Sequence, residues 1–214
     1  MMRVGRFITF EGPEGGGKTT QAKRLLARLR DSGHEVLYTR EPGGTPTGEA
    51  IRDILQHDKA GEPICDQAEV FLFAASRAQL VRNVILPALE RGLIVVCDRF
   101  ADSTTAYQGY GRGFPVEQML AINAFAIDGA EPDVTLLLDV PISLGFERIS
   151  GRQRELFEES DRIEREARAF HERVRNGYLE LERRWPERFR RVDATGTPDD
   201  VERAIWEIVQ RVLP

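Results

Sequence analysis

A glycine-rich loop near the amino end of the chain constrains the fold more than any other feature. Residues 12–19 read GPEGGGKT and match the pattern G-x-x-x-x-G-K-[ST] at every fixed position. Apolar residues at positions 4, 7, 8 and 10 precede the loop, and a helix-forming segment, residues 19–33, follows it. A strand, a glycine loop and a helix in this order are typical of a loop that holds phosphate groups.

The spacing of this loop has a physical cause. Glycine adopts positive φ without a Cβ clash, so the backbone can curl until successive N–H groups point at one anion. Lys18 can then reach the outer phosphates, the Thr19 hydroxyl can bind Mg²⁺, and the following helix places the positive end of its dipole below them. The predicted ATP-binding residues are Gly12, Pro13, Glu14, Gly15, Gly16, Gly17, Lys18 and Thr19. A chance glycine turn would need neither the strand nor the helix.

Length and composition fit one domain that spans residues 1–214. Charged residues of both signs are mixed and the net charge is -5, so the chain lacks the basic field typical of nucleic-acid binding. No apolar run has the length of a membrane span and no signal peptide is present, so we expect a cytoplasmic protein. The two cysteines, Cys65 and Cys97, have no metal-ligand spacing.

Strand and helix patterns alternate along the chain. After the first strand, short strands are predicted at residues 35–39, 93–97, 134–139 and 190–193. Helices are predicted at residues 47–56, 66–91, 116–127, 142–149 and 198–213, with a further long helix that ends near residue 185. The polar segment 98–108 and the glycines that follow it interrupt this alternation. The pattern predicts an α/β fold with a mostly parallel sheet and helices on both faces.

Ligands of such a sheet lie beyond the carboxyl ends of its strands. Reactive groups follow four of the predicted strands here: the glycine loop, the REPGG turn at 40–44, Asp98 with Arg99, and Asp139. Asp98 and Asp139 are equivalent by position, and either could orient Mg²⁺ through water or receive a proton. We favour Asp98 because Arg99 and a polar segment adjoin it, whereas Asp139 can cap the next helix.

Two further groups of residues allow both a functional and a structural interpretation. Phe73 and Arg77 lie one turn apart on a helix and could hold a flat base, but an arginine at the edge of a core is the more common explanation. Arg152 and Arg154 lie in a stretch without apolar periodicity between two helices. They could form a closing lid over transferred phosphate or a solvated charge run. The acids at positions 161 and 164 could face metal or sugar, or complement a helix dipole.

Several segments together resemble one family, the bacterial thymidylate kinases. The segments are FEGPEGGGKTT, TREPGGTPTGEAIRDIL, FLFAASRAQLV, VCDRFADSTTAYQGYGRG, PDVTLLLDVP and ERISGR, followed by DRIE and FHERVRNGYLEL. They cover nearly the whole chain in order. The resemblance implies transfer of the γ-phosphoryl group of ATP to dTMP with Mg²⁺, giving dTDP and ADP for dTTP synthesis. It also implies a P-loop kinase domain with a five-stranded parallel core, an arginine-bearing lid near residues 150–160, and a homodimer.

The resemblance also assigns roles in a dTMP site. Phe73 would stack on thymine, Arg77 would contact the edge of the base, and Tyr107 would pack near the sugar and disfavour a 2′-hydroxyl. The remaining matches to base-contacting positions are Thr104, Thr105 and Gln108.

The same resemblance assigns the residues around the phosphates. Arg99 would bind the dTMP phosphate, Arg52 would assist it, Asp98 would lie near the phosphates and the metal, and Glu14 would approach the sugar or the metal. The acids that follow the lid in the family match Asp161 and Glu164.

The catalytic arginine is expected to come from the lid. Some relatives carry a basic residue inside the glycine loop, but here Lys18 follows only Pro13, Glu14 and glycines. The sequence therefore resembles the subtype in which a lid arginine, Arg152 or Arg154, reaches the transferred group.

Two other functions remain open from the sequence. A different P-loop phosphotransferase, such as a deoxynucleoside kinase, would share the glycine loop and the lid but not the FLFAASRAQ and STTAYQ segments. A non-catalytic nucleotide-binding switch is less favoured because the chain has no N-K-x-D motif that reads guanine.

Overall fold

The computed structural model describes residues 5–57, 62–156 and 162–213, with residues 152–156 described by their backbone only. Within these ranges, five strands form one parallel sheet in the order β2-β3-β1-β4-β5. The strands are β1 (Arg6–Glu11), β2 (Val36–Arg40), β3 (Ile94–Asp98), β4 (Val134–Asp139) and β5 (Phe189–Asp193). The predicted α/β fold with a five-stranded parallel sheet is therefore confirmed.

Helices cover both faces of this sheet. Their bounds are α1 (Lys18–Asp31), α2 (Pro46–Gln56), α3 (Asp66–Leu80), α4 (Leu86–Glu90), α5 (Ala101–Thr104), α6 (Val116–Ile127), α7 (Ile142–Leu156), α8 (Arg168–Arg184) and α9 (Pro198–Val209). One apolar core joins α1 and α9 to the sheet, and a second joins α3 and α4 to its other face. Both faces of the central strands are thus covered, which explains why β3 is a continuous buried run. In the described parts of the chain, no helix combines the length and the apolar character needed to span a bilayer.

Two predicted elements differ from the structure. The helix predicted over 66–91 is interrupted by a π-helical segment, Val81–Ile85, before α4 begins. Pro87 explains the change because it has no N–H for the regular helical bond, and the neighbouring Leu86 N–H bonds Val81 O, five residues back. The polar segment after β3, for which no regular element was predicted, forms α5 and a second π-helical segment, Thr105–Gly111.

The elements around the predicted lid also differ from expectation. Helix α7 continues to Leu156, seven residues beyond the predicted end at 149, so the first part of the predicted lid is helical. Helix α8 begins only at Arg168. Glu164 therefore lies in a turn before α8.

Candidate active site

The glycine loop connects β1 to α1 and packs tightly against two other elements. Gly12, Gly15 and Gly17 have positive φ, with values of 136°, 73° and 81°. A Cβ atom on Gly15 would lie 2.2 Å from the carbonyl oxygen of Gly145 in α7, and a Cβ on Gly12 would lie 2.3 Å from that of Leu138 in β4. Glycine is required at both positions for conformation and for space. The loop is thereby held in a curled shape by α7 and β4.

Lys18 folds back over the loop from the first turn of α1. Its Nζ donates to the carbonyl oxygens of Gly12 (3.1 Å) and Pro13 (2.8 Å), and the side chain is buried. Burial and the nearby Arg99 charge together lower the pKa of Lys18 to about 8, while the Glu14 charge opposes the change. The ammonium group is therefore fixed beside the loop backbone.

The structure separates the two aspartates that the sequence left equivalent by position. Asp98 Oδ2 accepts a 2.5 Å hydrogen bond from Thr19 Oγ1, which brings the end of β3 to the start of α1. Asp139 instead pairs with Arg175, whose Nε and Nη2 donate to its two carboxylate oxygens at 2.7 and 2.9 Å. Asp98 is thus the strand-end carboxylate next to the glycine loop.

Arg99 lies at the centre of a polar cluster beyond the loop. Its Nη2 donates to Glu14 Oε1 (2.5 Å) and to the Tyr107 hydroxyl (3.1 Å), and its Nη1 donates to Gly12 O (3.3 Å). The Tyr107 hydroxyl also donates to Glu14. Burial would raise the pKa of Glu14, but the charges of Arg99 and Lys18 outweigh it, so that pKa falls to about 2. The Glu14 carboxylate therefore stays ionised and holds Arg99 toward the loop.

The loop lies between two cavities. The larger has a volume of about 770 Å³ and the smaller about 290 Å³. The smaller is lined by the loop glycines 15–17, Arg148 in α7, and the segment after β5 that includes Ala194 and Pro198. Many of the predicted site residues line the larger cavity: Glu14, Gly15, Gly17, Lys18, Thr19, Arg52, Phe73, Asp98, Arg99, Thr104, Tyr107, Gln108 and Glu164. One loop thus faces two separate binding spaces.

The sequence model of one family, thymidylate kinase, matches residues 10–205. The chain is 50% identical over 208 residues to the thymidylate kinase of Deinococcus radiodurans, covering 97% of this chain and 98% of that protein. It is 49% identical over 207 residues to that of Thermomicrobium roseum, covering 97% and 95% of the two chains. This chain belongs to the thymidylate kinase family. A crystal structure of the thymidylate kinase from Ehrlichia chaffeensis is also similar, with a TM-score of 0.75, 32% identity, and coverage of 96% and 98%.

Two residues that the family resemblance assigned to the base do not line the larger cavity. Arg77 is buried, and its guanidinium donates to Glu41, to Asn123 Oδ1 (2.7 Å) and to Thr104 Oγ1 (2.9 Å). Thr105 is also buried, where its hydroxyl accepts from Asn123. A buried guanidinium requires paired acceptors, and Glu41 and Asn123 supply them here. In this arrangement Arg77 reaches the cavity wall through Glu41 and Thr104, which both line the cavity.

The predicted lid residues are placed only in part. The backbone of Arg152 and Arg154 belongs to the last turns of α7, and their side chains lie outside the described part of the structure. Asp161 also lies outside the described residues. Glu164 lines the larger cavity from the turn before α8. The family roles of these residues stay predictions.

Sequence reasoning missed Glu11, the last residue of β1. Its carboxylate is buried and accepts hydrogen bonds from the Phe100 and Ser103 N–H groups, from the Ser103 hydroxyl (2.6 Å) and from the Tyr178 hydroxyl (2.8 Å). The bond to Phe100 fixes the backbone directly after Arg99, whose φ of 67° is unusual for a residue other than glycine. A glutamate at the end of an apolar strand was the available signal, since the same reasoning had selected Asp98 and Asp139.

Glu11 should make the stability of the protein depend on pH. Burial, together with the nearby Asp102 charge, raises the pKa of Glu11 from 4.5 to about 7. The folded state therefore keeps a proton that the unfolded chain releases, and this stabilisation is complete below pH 4.5 and is lost as the pH rises through 7. Between pH 4.5 and 8, the unfolding free energy of the parent, measured relative to that of Glu11→Gln, should fall by roughly 3 kcal/mol.

Urea unfolding at several pH values would measure this difference. Glu187→Gln, at an exposed position, provides a matched control for the loss of one glutamate. A constant difference for Glu11→Gln would show that the Glu11 carboxyl does not titrate in this range.

Proposed function

We propose that this protein transfers the γ-phosphoryl group of ATP to dTMP, giving dTDP and ADP. Membership of the thymidylate kinase family supports this reaction. The observation that carries it is the glycine loop between two cavities, with Lys18 on the loop and separate arginines in the larger cavity. Two anionic substrates that must meet each need their own cations, whereas a simple nucleotide-binding protein would need one set.

On the donor side, ATP would place its phosphates over residues 12–19 and its nucleoside in the smaller cavity. Arg148 supports the wall of that cavity, because its Nη1 donates to Ala194 O at 2.8 Å and to Gly15 O at 3.4 Å. The loop amides and Lys18 would then bind the β- and γ-phosphates, and the amino end of α1 would add its dipole. These groups would stabilise the negative charge that spreads over the transferred phosphoryl group in the transition state.

On the acceptor side, dTMP would occupy the larger cavity. Phe73 offers a ring for the base, and Thr104 and Gln108 offer polar contacts. Arg99 and Arg52 would bind the phosphate. Tyr107 is almost fully buried and its hydroxyl donates to Glu14, so its position is fixed, and we expect the ring to lie beside the sugar. A 2′-hydroxyl would have to displace this ring, which accounts for the expected preference for deoxyribose.

The chemistry requires no protein base. The dTMP phosphate monoester is already a nucleophile, so the protein contributes by alignment and by charge stabilisation. We propose that Arg152 or Arg154, from the end of α7, supplies the cation that closes over the transferred group. The Gly15 and Gly145 contact joins that helix directly to the phosphate loop. Closing the lid would then also exclude water from the γ-phosphate.

The residues around Thr19 fit a Mg²⁺ ion. Mg²⁺ prefers oxygen ligands, keeps several of its waters and uses few protein ligands alongside substrate phosphates. The Thr19 hydroxyl and the Asp98 carboxylate, already 2.5 Å apart beside the loop, supply suitable oxygens. When bound, the ion would neutralise charge on the ATP phosphates. Asp98 would hold it through water, and Thr19 would contact it directly.

Asp98→Asn should raise the Mg²⁺ concentration needed for half-maximal rate by about tenfold or more and lower kcat by about a hundredfold. The substitution removes the negative charge next to Thr19 but keeps the size of the side chain. Initial rates over a series of free Mg²⁺ concentrations at fixed ATP would show the effect. Asp139→Asn is the matched control, because that aspartate lies at the end of β4 and pairs with Arg175. Unchanged turnover and Mg²⁺ dependence in Asp98→Asn would remove Asp98 from the metal site.

Coupled measurement of ADP release tests the proposed reaction directly. The purified protein with ATP and Mg²⁺ should turn over dTMP, and should use dUMP, dCMP and thymidine much less efficiently. Phosphorylation of thymidine in preference to dTMP would favour a deoxynucleoside kinase. Nucleotide binding without turnover of any acceptor would favour a non-catalytic nucleotide-binding switch. A cytoplasmic location, where both nucleotides are made and used, is part of this proposal.

We also propose that the chain forms a homodimer through α3 and α6. Among the described residues, two of the exposed large apolar side chains lie on these two helices, which pack against each other: Phe71 is 62% exposed and Phe125 is 88% exposed. Exposed aromatic rings on adjoining helices are typical of a surface that another protein covers.

Phe125→Glu should convert a dimer into a monomer, because a charge would be buried in the apolar interface. Size-exclusion chromatography with light scattering would measure the molar mass. Gln210→Glu adds the same charge at an exposed position after α9 and should leave the mass unchanged. A parent protein that is monomeric at micromolar concentration would contradict the proposal.

A further inference from the structure

Glu69 is a fully buried carboxylate on α3 that lies behind the larger cavity. Its Oε2 accepts from Arg112 Nη2 (3.1 Å) and from Arg162, and its Oε1 accepts from Gln108 Nε2 (2.7 Å) and from Arg112 Nε (3.2 Å). Burial alone would raise the pKa of Glu69, but hydrogen bonds from Arg112, Gln108 and Arg162 outweigh it and keep that pKa below its usual range. Glu69 is therefore an ionised group that can only accept hydrogen bonds.

This contact fixes the orientation of the Gln108 side-chain amide. Gln108 has a donor end, Nε2, and an acceptor end, Oε1, and a carboxylate can be paired only with the donor end. Gln108 lines the larger cavity together with Phe73, which follows Glu69 by one turn of α3. With Nε2 held from behind by Glu69, the Oε1 atom is the end of the amide left for a ligand in the cavity.

An acceptor in this place distinguishes between pyrimidine bases. Thymine and uracil carry one N–H donor on the base, at N3, whereas cytosine has an unprotonated N3 with a lone pair. Oε1 of Gln108 can accept from N3–H, but it would face the lone pair of cytosine. A site built to pair one hydrogen-bonding group discriminates strongly against an analogue that lacks it, because buried polar groups are then left without partners.

We infer that Glu69 is a positioning residue for base selectivity: it fixes the Gln108 amide so that its carbonyl oxygen accepts from N3–H of thymine or uracil and excludes cytosine. This inference rests on the proposed function, since it concerns the acceptor site of the same reaction. It adds a residue that does not line the cavity and that acts through Gln108. It also gives a role to Arg112 and Arg162, which keep Glu69 ionised.

Glu69→Gln should reverse the preferred orientation of Gln108. The single oxygen of the introduced side-chain amide is best placed toward Arg112 and Arg162 at the former Oε2 position, which puts its NH₂ group against Gln108. Gln108 would then turn its own oxygen toward this NH₂ group and present its Nε2 to the base. A donor in this position suits the N3 lone pair of cytosine and opposes the N3–H of thymine.

The experiment compares kcat/KM for dTMP, dUMP and dCMP in the parent and in Glu69→Gln. The ratio of dTMP to dCMP should fall at least tenfold, with dUMP following dTMP and with dCMP turnover rising in absolute terms. A merely structural role would lower all three values in proportion, and that outcome would overturn the inference. Glu166→Gln is the matched control. Glu166 pairs with the same Arg112 at 2.5 Å, so this variant removes a carboxylate charge beside that arginine, and it should keep the parental ratio of dTMP to dCMP.

Two further variants test the inference even if Glu69→Gln does not fold. Gln108→Leu keeps Glu69 and its arginines, and should lower the dTMP to dCMP ratio mainly through loss of dTMP turnover. In the Gln108→Leu background, Glu69→Gln should change the ratio no further, since the amide through which it acts is absent. A parental ratio in Gln108→Leu would also overturn the inference. A parent protein without dTMP turnover would contradict the proposed function itself, which is a separate result.

Discussion

Lys18→Met should lower kcat with ATP and dTMP by about a thousandfold or more while the protein remains folded. Lys18 is the cation that the glycine loop holds in place, with its Nζ on the carbonyl oxygens of Gly12 and Pro13. Its charge would face the phosphates as negative charge shifts during transfer. Met keeps the length of the side chain but has neither the charge nor the donors. Steady-state kinetics with both substrates, together with a thermal unfolding curve, would separate the effect on turnover from an effect on stability.

Lys18→Arg is the control that keeps the charge. The pKa of Lys18 in the free protein is lowered to about 8, so kcat/KM for ATP in the parent should decline as the pH rises above 8. Arginine stays charged throughout this range, so the decline should be absent in Lys18→Arg even if its overall rate is low. Parental turnover in Lys18→Met would contradict the assignment of Lys18 to the phosphates.

The parts of the site that the sequence predicted best are those that local sequence specifies. The curled loop depends on glycines within eight consecutive residues, and Asp98 and Arg99 follow directly from the end of an apolar strand. The carboxyl ends of the strands in a parallel sheet meet at one edge, so the sequence alone predicts that these groups lie close together. The close contact of Gly15 with Gly145 shows how the loop is supported, but no pattern in the sequence indicated that α7 is the neighbour.

The contacts that the sequence could not predict join residues far apart in the chain. Glu11 and Ser103 are 92 residues apart, and Gln108 and Glu69 are 39 apart. Periodicity places each side chain on one face of its element, but it does not state which other element packs there. Arg77 shows the same limit, because its position on a helix fits both a cavity wall and a buried ion pair with Glu41, and the sequence does not indicate that Glu41 is its partner.

Arg99→Met should lower kcat/KM for dTMP by about a thousandfold and change the KM for ATP only slightly, because Arg99 lines the larger cavity, in which we propose that dTMP binds. The Arg99 side chain is held by Glu14 and Tyr107. Its backbone is fixed by two hydrogen bonds, because the Arg99 N–H donates to Phe10 O and the next N–H, of residue 100, donates to the Glu11 carboxylate. Such a fixed guanidinium can bind two oxygens of one phosphate. Kinetics with each substrate varied in turn, at saturating concentration of the other, would measure the change.

Two further variants show whether this effect arises from binding or from folding. Arg99→Lys keeps the charge but loses the planar two-point contact, so it should recover only part of the lost kcat/KM. Arg99→Met leaves the half-buried Glu14 carboxylate without its paired guanidinium, and only the Tyr107 hydroxyl of its described hydrogen-bond donors remains, which itself destabilises the fold. Adding Glu14→Gln to Arg99→Met removes that unpaired charge and should restore thermal stability without restoring the use of dTMP. Recovery of dTMP turnover in the double variant would show that Arg99 serves to neutralise Glu14 and does not bind the acceptor phosphate.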